Sequence, residues 1–398
     1  MEYEPIDIDW TRHWLLDPGV IHLNHGSFGA CPKGVLSEQS DLRKQLERQP
    51  VAFFDEHLRP ALDRARGELA AFIGSDTAGL AFVSNATTGI NAILRSLAFD
   101  PGDEIVVLDQ AYPACRNAAT FVADRAGAEV VRADLPYPLE GPGQIVEALT
   151  DALTPRTELA LIDHVPSSTG VVLPLERILE VLDEQHVTSL IDGAHAPGSI
   201  DLDLEALEPT LDFYVGNCHK WLCAPKGAAF LWTNPHDRDG IHPPVISNGY
   251  GGTPERTAYH AEFDWTGTRD PTPFLCVPEA IDYMGGLVPD GWEGVRSHNH
   301  ALALRARDRL CDTLGIDPPV PDDMMGPMAS VPLPGAPPDG VGEVDPLERR
   351  LAREHGIVVP VKSKPTPPRR LLRVSAQIYN HPEQYEALAD ALDEELAD

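Results

Sequence analysis

The chain has 398 residues, of which 42% are hydrophobic and 23% charged, so it can build one large domain and a smaller one around a sizeable core. Its formal net charge of −31 argues against nucleic acid and anionic membranes as partners, because so acidic a surface repels both. The first ten residues are acidic and carry no apolar run, so we expect no signal peptide, and the chain lacks the roughly 18 consecutive apolar residues of a membrane span.

Short apolar runs alternate with helical patterns through the first two thirds of the chain. The predicted strands are residues 104–108, 129–131, 159–162, 189–191, 211–215 and 228–232. The predicted helices are residues 35–48, 58–72, 88–98, 114–126, 145–153 and 175–185. Apolar runs buried on both faces and separated by helices are typical of an α/β fold with a mostly parallel sheet.

The pattern changes near residue 285. Proline is dense between residues 318 and 368, which predicts long loops, and residues 382–398 predict an acidic amphipathic terminal helix. We therefore predict a large domain at residues 18–284 and a smaller α+β domain at residues 285–398, with residues 1–17 packed on the smaller one.

Polar side chains directly follow four of the predicted strands, at the edge where an open α/β sheet binds its ligands. A further small and polar stretch, Ser-Asn-Ala-Thr-Thr-Gly at 84–89, stands at a predicted helix start. The four strand-end stretches are residues 109–112 (DQAY), 163–168 (DHVPSS), 192–195 (DGAH) and 217–220 (NCHK).

These groups match the needs of pyridoxal 5′-phosphate (PLP). The cofactor takes a lysine amine for a Schiff base, a carboxylate against its pyridine nitrogen, a helix N-terminus for its phosphate and a flat side chain over its ring. The chain has only six lysines, and Lys220 follows His219 directly, 28 residues after Asp192. Lys220 is therefore the predicted Schiff-base lysine, and Lys226, in a Pro-Lys-Gly turn, is the rival.

The motifs around these residues resemble those of the class V aminotransferase family of fold-type I PLP enzymes, most closely its isopenicillin N epimerase-like branch. The resemblance spans about residues 18 to 380 and implies a seven-stranded, mostly parallel sheet, a smaller C-terminal domain and a homodimer with its active site at the interface. The matching motifs are 192–198 (DGAHAPG), 216–221 (GNCHKW), 23–29 (LNHGSFG), 86–91 (ATTGIN), 267–270 (GTRD) and 372–375 (LRVS).

The resemblance also implies a role for each matching residue on the cofactor. Lys220 would form the Schiff base and move the Cα proton, Asp192 would pair with the pyridine nitrogen, and His195 would reach the phenolic oxygen. Tyr112 would stack on the ring. The groups implied to hold the phosphate are Thr87, Thr88, Asn217, His219 and, from the neighbouring subunit, Thr268.

On the substrate side, Arg373 would grip the carboxylate as a bidentate fork, and Asn24 and Ser167 would line the pocket. Structural alternatives exist for several of these residues. Arg373 could form an ion pair, Tyr112 could pack against its surroundings, and the threonines could cap a helix.

The positions of the cysteines help to narrow the range of possible reactions. A persulfide-forming cysteine desulfurase needs a nucleophilic cysteine shortly before the residue equivalent to Arg373, and residues 360–373 contain none. Cys218 and Cys223 lack metal-ligand spacing, so we expect buried packing residues, no metal site and reduced thiols in a cytoplasmic protein. Lys362 and Lys364 could instead contact an anionic part of a substrate.

The reaction itself stays open at this point. The resemblance implies a substrate amino acid bound as an external aldimine, followed by epimerisation at Cα, β-elimination as in C–S lyases such as hercynylcysteine sulfoxide lyase, decarboxylation with deamination, or transamination. Epimerisation needs a second acid/base opposite Lys220, for which Tyr112, His25 and water are the candidates. A catalytically silent binding protein and a Rossmann dehydrogenase are weaker hypotheses, since Asp192 and Lys220 are both present and no Gly-x-Gly-x-x-Gly follows a strand.

Overall fold

A computed structural model describes residues 9–337, 344–364 and 369–397 of the chain. The strands are β1 (Ile21–His22), β2 (Leu80–Val83), β3 (Glu104–Leu108), β4 (Glu129–Ala133), β5 (Thr157–Asp163), β6 (Thr188–Gly193), β7 (Phe213–Asn217), β8 (Ala229–Thr233), β9 (Met328–Leu333), β10 (Ile357–Val358), β11 (Val361–Lys364) and β12 (Arg369–Ser375). The α-helices are α1 (His25–Phe28), α2 (Lys33–Arg48), α3 (Pro50–Ala52), α4 (Leu58–Phe72), α5 (Ala86–Ser96), α6 (Pro113–Ala126), α7 (Pro142–Ala152), α8 (Leu175–Glu184), α9 (Ala258–Asp264), α10 (Thr272–Leu275), α11 (Val277–Gly285), α12 (Gly291–Leu314), α13 (Pro346–Glu354) and α14 (Pro382–Leu396).

Within the described residues, seven strands form one sheet in the order β2-β8-β7-β6-β5-β3-β4. The strands β3 to β7 are mutually parallel, whereas β8 runs antiparallel to both of its neighbours. The predicted α/β fold with a mostly parallel, seven-stranded sheet is therefore confirmed, as are all six predicted strands. Sequence reasoning missed β2, because a run of four buried residues fits a buried helix segment as well as a strand.

Capping residues mark the ends of the helices that pack on this sheet. Helix α5 starts at Ala86, two residues before the predicted start, because the Asn85 side chain accepts the Thr88 N–H at 2.8 Å. Helix α6 has Pro113 in its first turn and ends at Gly127, whose φ of 77° is a left-handed cap.

The last third of the described chain builds a second layer. The strands β11, β12 and β9 form an antiparallel sheet against which α12 packs, and α14 packs on α12. The predicted terminal helix is confirmed as α14, although Asp398 lies outside the described residues. Residues 338–343 and 365–368 of the proline-dense segment also lie outside them.

The N-terminal segment joins this part of the chain. Strand β1 pairs in parallel with β10, and Trp10 and Trp14 are buried in a cluster that includes Ile378 and Tyr379. The predicted boundary after residue 284 falls at the end of α11, and the division into two domains stays a prediction. In the described ranges, no helix is both long and apolar enough to cross a bilayer, and no cluster of three or more His, Cys, Asp or Glu could hold a metal ion.

Candidate active site

The carboxyl ends of the parallel strands bring the predicted polar residues to one edge of the large sheet. Strands β5 and β6 are in register where Asp163 stands opposite Asp192, and β7 ends at Asn217, just before Lys220. Neighbouring strands lie about 5 Å apart, so these side chains are within reach of a single small ligand.

The amine of half-buried Lys220 lies 3.0 Å from Nε2 of His195. On the other side of the ring, Nε1–H of Trp221 donates to Nδ1 of His195 at 3.3 Å. An indole nitrogen can only donate, so Nδ1 of the neutral imidazole accepts and its proton sits on Nε2. The Nε2–H group then points at the Lys220 amine, a geometry that suits the uncharged amine.

The electrostatics of the pair increase the uncharged fraction of the amine. Burial lowers the pKa of Lys220 from 10.5 to about 8, opposed by the negative charge of Asp192 and reinforced by the positive charge of Arg373. Burial, together with the charge of Lys220, holds the pKa of His195 well below its usual range. At pH 7 about a tenth of the Lys220 amine is uncharged, against less than about one part in a thousand for an ordinary lysine.

The carboxylate of Asp192 is held by two donors. Its Oδ1 accepts the Ala194 N–H at 3.0 Å, and its Oδ2 lies 3.2 Å from the donating thiol of Cys115. Burial and the adjacent charge of Asp192 hold the pKa of Asp163 well above its usual range. Sequence reasoning missed Cys115, whose signal was its place three residues after Tyr112, in the first turn of α6.

The start of α5 is anchored to the end of β7, since Oδ1 of Asn217 accepts the Ala86 N–H at 2.9 Å. The Thr88 hydroxyl is engaged locally, donating to Oδ1 of Asn85 at 3.0 Å and lying 2.9 Å from the Ser84 hydroxyl. Within the described residues, the backbone N–H and hydroxyl of Thr87 donate no hydrogen bond. Thr87 therefore offers two free donors at a helix N-terminus, where anions bind.

His219, two residues after Asn217, is a neutral imidazole. Its Nδ1 lies 2.9 Å from the carbonyl oxygen of Ala228, so Nδ1 carries the proton and Nε2 keeps a free lone pair. Burial lowers the pKa of His219 to about 4.

Arg373 is fully buried and is held entirely by neutral oxygens. One terminal nitrogen donates to the Ser167 carbonyl at 2.6 Å and to its hydroxyl at 3.0 Å. The other donates to Oδ1 of Asn24 and to the hydroxyl of Ser27, both at 2.9 Å. No carboxylate in the described part of the chain pairs with Arg373, which argues against a structural ion pair. Ser27 was missed from sequence, although it lies in the 23–29 motif.

The same geometry leaves Arg373 as an uncompensated buried cation. Burial lowers the pKa of its guanidinium to about 10, so the group still carries its charge at neutral pH. A buried charge is costly unless an anion meets it, so this arrangement favours a bound carboxylate. The structure thus brings Arg373, Asn24 and Ser167 together as the sequence predicted, without testing their role.

His25 supports the backbone of Lys220 and does not face a substrate. Its Nδ1 lies 2.9 Å from the Tyr379 hydroxyl and its Nε2 3.1 Å from the carbonyl oxygen of Lys220. Burial lowers the pKa of His25 to about 3. The 23–29 segment approaches so closely that a Cβ at Gly29, whose φ is 70°, would lie 2.1 Å from the His219 carbonyl oxygen. Hydrogen bonds at both ring nitrogens argue against His25 as the second acid/base.

Two predicted site residues are exposed at the rim. Tyr112 precedes α6 with 47% of its surface accessible, and Thr268 is exposed in the loop after α9. Within the described residues, the side chains of both make no hydrogen bond. Near Thr268, a cavity of about 480 Å³ is lined by Thr87, Thr88 and Arg269, among others.

The other lysines of interest have distinct surroundings. Lys364 is fully buried with its amine 2.7 Å from Oδ2 of Asp109, so this lysine is not free to bind a substrate. The rival Lys226 is exposed and donates to the Gly29 carbonyl at 2.8 Å. Lys362 is half-buried and forms no hydrogen bond or ion pair within the described part of the chain.

Comparison with known proteins places this site in a family. The family model for class-V aminotransferases matches residues 36–388. The chain belongs to the class V aminotransferase family. It is 38% identical over 394 residues to an isopenicillin N epimerase of Amycolatopsis lactamdurans, covering 95% of this chain and 96% of that protein. It is 32% identical to a putative L-cysteine desulfhydrase 2 of Oryza sativa subsp. japonica, covering 96% and 86% of the two chains.

A solved structure shares the fold. A variant of the cystine C–S lyase C-DES, with glycine covalently linked to its PLP cofactor, superimposes with a TM-score of 0.76 at 22% identity and covers 94% of this chain and 97% of that one. This class V aminotransferase family member is a PLP-dependent enzyme. The residues of this site fit PLP. The Lys220 amine, the Asp192 carboxylate and the free donors of Thr87 all lie at one edge of the large sheet.

Proposed function

We propose that this PLP-dependent enzyme epimerises an amino acid at Cα. The observation that carries the proposal is the buried Arg373, which pairs with no carboxylate among the described residues and lies near Lys220. An amino acid held there by its carboxylate would present its Cα to the Lys220 amine. The similarity to an isopenicillin N epimerase over nearly the whole of both chains supports this reaction.

We assign the cofactor contacts by the same geometry. PLP, when bound, supplies an electron sink that stabilises negative charge at the substrate Cα. Asp192 would face the pyridine nitrogen, and the Nε2–H group of His195 would donate to the phenolic oxygen. Thr87 would donate directly to the phosphate. The remaining groups proposed around the phosphate are Thr88, Asn217, His219 and Thr268 of the partner subunit.

Epimerisation requires a proton acceptor on one face of Cα and a donor on the other. Lys220 supplies the first, because its lowered pKa makes the uncharged amine available near neutral pH. We assign the second to Tyr112, which we also propose to stack on the cofactor ring. Its hydroxyl is unengaged within the described residues, whereas both ring nitrogens of His25 are occupied.

The second candidate reaction is β-elimination from a cysteine conjugate or sulfoxide, as in C–S lyases. Similarity to L-cysteine desulfhydrases favours it, at 30–32% identity over 96–99% of this chain. A sulfoxide lyase acting on hercynylcysteine is also similar, at 27% identity over 82% of this chain. Elimination needs only Lys220 and a good leaving group, so it makes no demand on Tyr112.

Persulfide-forming desulfurase chemistry is disfavoured by the cysteines. All six are unpaired and buried, as expected for Cys218 and Cys223. Burial raises the pKa of every one of these thiols, for example to about 12 at Cys31 and about 11 at Cys311. The reactive form of a cysteine is the thiolate, so none is suited to attack a substrate sulfur.

We further propose a cytoplasmic homodimer. Six unpaired thiols suit a reducing compartment. Val245, Ile246 and Tyr250 expose 56%, 56% and 64% of their surfaces within one short segment, and Val245 lines the cavity beside Thr87. Exposed apolar side chains grouped in this way are typical of a subunit interface.

Isotope exchange distinguishes the two reactions. The enzyme is incubated in D₂O with single enantiomers of candidate amino acids and, separately, with cysteine conjugates. Epimerisation predicts deuterium at Cα together with loss of optical activity. Elimination predicts pyruvate and ammonia from the conjugates. Exchange at Cα with full retention of configuration would contradict the epimerase proposal.

Tyr112→Phe tests the assignment of the second face. The phenyl ring keeps the proposed stacking and removes only the hydroxyl. We expect racemisation to fall by about 100-fold or more, the usual contribution of a positioned acid or base, while Lys220-dependent exchange of the Cα proton continues. Equal racemisation by the variant and the parent enzyme would exclude Tyr112 as the donor. Lys220→Ala should abolish both reactions.

A further inference from the structure

One face of strand β11 carries two lysines whose surroundings differ. Side chains alternate along a strand, so Lys362 and Lys364 project from the same face. Lys364 is fully buried and paired with Asp109, at the carboxyl end of β3. This face of β11 is therefore turned towards the edge of the large sheet that carries the active site. Lys362, on the same face, is half-buried and has no hydrogen-bond or ion-pair partner among the described residues.

Lys362 is also a cross-strand neighbour of Arg373. Lys362 stands opposite Leu371 in the β11–β12 pairing, and Arg373 lies two residues further along β12. The two cations are thus diagonal neighbours on the same face, about 7–8 Å apart at their backbones. The backbone N–H of Arg373 donates to the Pro360 carbonyl at 3.0 Å, so the hydrogen bonding between the two segments extends as far as Arg373.

Neither cation forms an ion pair with a carboxylate of the described residues. The acid that acts on both is Glu348, whose Oε2 accepts the Val361 N–H at 2.8 Å and forms an ion pair with neither. Burial and the charge of Arg373 lower the pKa of Lys362. The positive charge of Lys362 in turn helps to lower the pKa of His195, so it acts directly on the site.

A half-buried cation without a counter-ion is unfavourable in the free protein. Here half-buried Lys362 stands beside the fully buried Arg373, in a chain of net charge −31 that has only six lysines. Arg373 can meet the α-carboxylate of an amino acid. A single carboxylate already matched by the charge of Arg373 leaves Lys362 unmatched.

We propose that Lys362 binds a second carboxylate of the substrate, carried at the far end of its side chain, while Arg373 holds the α-carboxylate. This inference rests on the proposed function, since it assumes that an amino acid binds through Arg373. The preferred substrates are therefore amino acids with an anionic side-chain terminus, separated from the α-carboxylate by the span between the two cations.

Calorimetric titration of the PLP-loaded enzyme tests the assignment without relying on turnover. L-2-aminoadipate and L-norleucine have the same six-carbon chain and differ in the terminal carboxylate. The unmodified enzyme should bind aminoadipate at least about tenfold more tightly, the strength of one charge-assisted hydrogen bond. Lys362→Met should reduce this preference to about twofold or less. Lys362→Arg should retain most of it.

The control is Lys44→Met, which removes an exposed lysine on α2 and should leave the preference intact. An unchanged preference in Lys362→Met overturns the role of Lys362, and so does equal binding of both ligands by the unmodified enzyme. That last comparison needs no variant, so it stands even where a substitution impairs folding. In both cases the proposed function survives, whereas failure of the PLP-loaded enzyme to bind either ligand contradicts both proposals.

Discussion

The lowered pKa of Lys220 has a measurable effect on stability. A shift from 10.5 to about 8 means that the folded, cofactor-free protein holds the charged amine less favourably than the unfolded chain does. At about 1.36 kcal/mol per unit of pKa shift, this penalty is about 3 kcal/mol. We take this value as an upper bound because Lys220 is half-buried. Lys220→Met removes the charge and keeps the length of the side chain, so the cofactor-free variant should be more stable at pH 7.

The sign of the pH dependence follows from proton binding. Below pH 8 the amine is protonated in both the folded and unfolded states, and the full penalty applies. Between pH 8 and 10.5 the unfolded chain binds a proton that the folded protein has lost, so the stability of the unmodified protein rises with pH. The advantage of Lys220→Met should therefore shrink from about 3 kcal/mol at pH 7 to under about 1 kcal/mol at pH 10.

Urea unfolding of the cofactor-free proteins, followed by tryptophan fluorescence, measures this difference at the two pH values. Lys44→Met is the matched control, because its exposed lysine should change stability by less than about 0.5 kcal/mol at either pH. A gain in Lys220→Met that is equal at pH 7 and pH 10 would refute the reasoning, since the effect would then come from packing. No gain at pH 7 would refute it as well.

Three further outcomes follow from the site. Arg373→Lys keeps the charge but loses the fork, so kcat/KM should fall at least about tenfold while the absorption band of the bound cofactor is unchanged; an unaltered kcat/KM would contradict substrate binding by Arg373. Thr87→Val should weaken PLP binding about tenfold in a cofactor titration, whereas Thr88→Val should chiefly destabilise the protein by about 1 kcal/mol in urea, because Thr88 belongs to the α5 cap. With a disulfide reagent at pH 8, the native protein should show no rapidly reacting thiol and the unfolded protein six, because all six are buried; one fast thiol in the native state would reopen desulfurase chemistry.

The surroundings of Lys220 show how the fold arranges its chemistry. His195 and Trp221 fix the proton on the imidazole nitrogen that faces the amine, while Asp192 is held by a backbone amide and a thiol. A neutral imidazole thus faces the amine, while the charges of Asp192 and Arg373 act on it in opposite directions. The different environments of the Lys220 amine and the Asp192 carboxylate depend on burial at the strand ends.

Periodicity and strand-end chemistry predicted much of this protein from sequence. Apolar runs buried on both faces gave six of the seven large-sheet strands, and helical patterns placed most helix ends within two or three residues. The polar residues after four strands gave Lys220, Asp192 and His195, because parallel strands end at a common edge. The cofactor followed from those residue types, as the family match confirms.

The tertiary structure decided the features that depend on contacts between distant segments. It placed one ring nitrogen of His25 in a hydrogen bond with Tyr379, 354 residues away in the chain. It placed the other in a hydrogen bond with the backbone of Lys220, 195 residues away. It paired one lysine of β11 with Asp109 and placed its neighbour Lys362, which has no partner in the described part of the chain, beside Arg373. Local sequence determines which groups stand at the ends of strands and helices, whereas burial and packing decide which of those groups are neutralised and which stay available to a substrate.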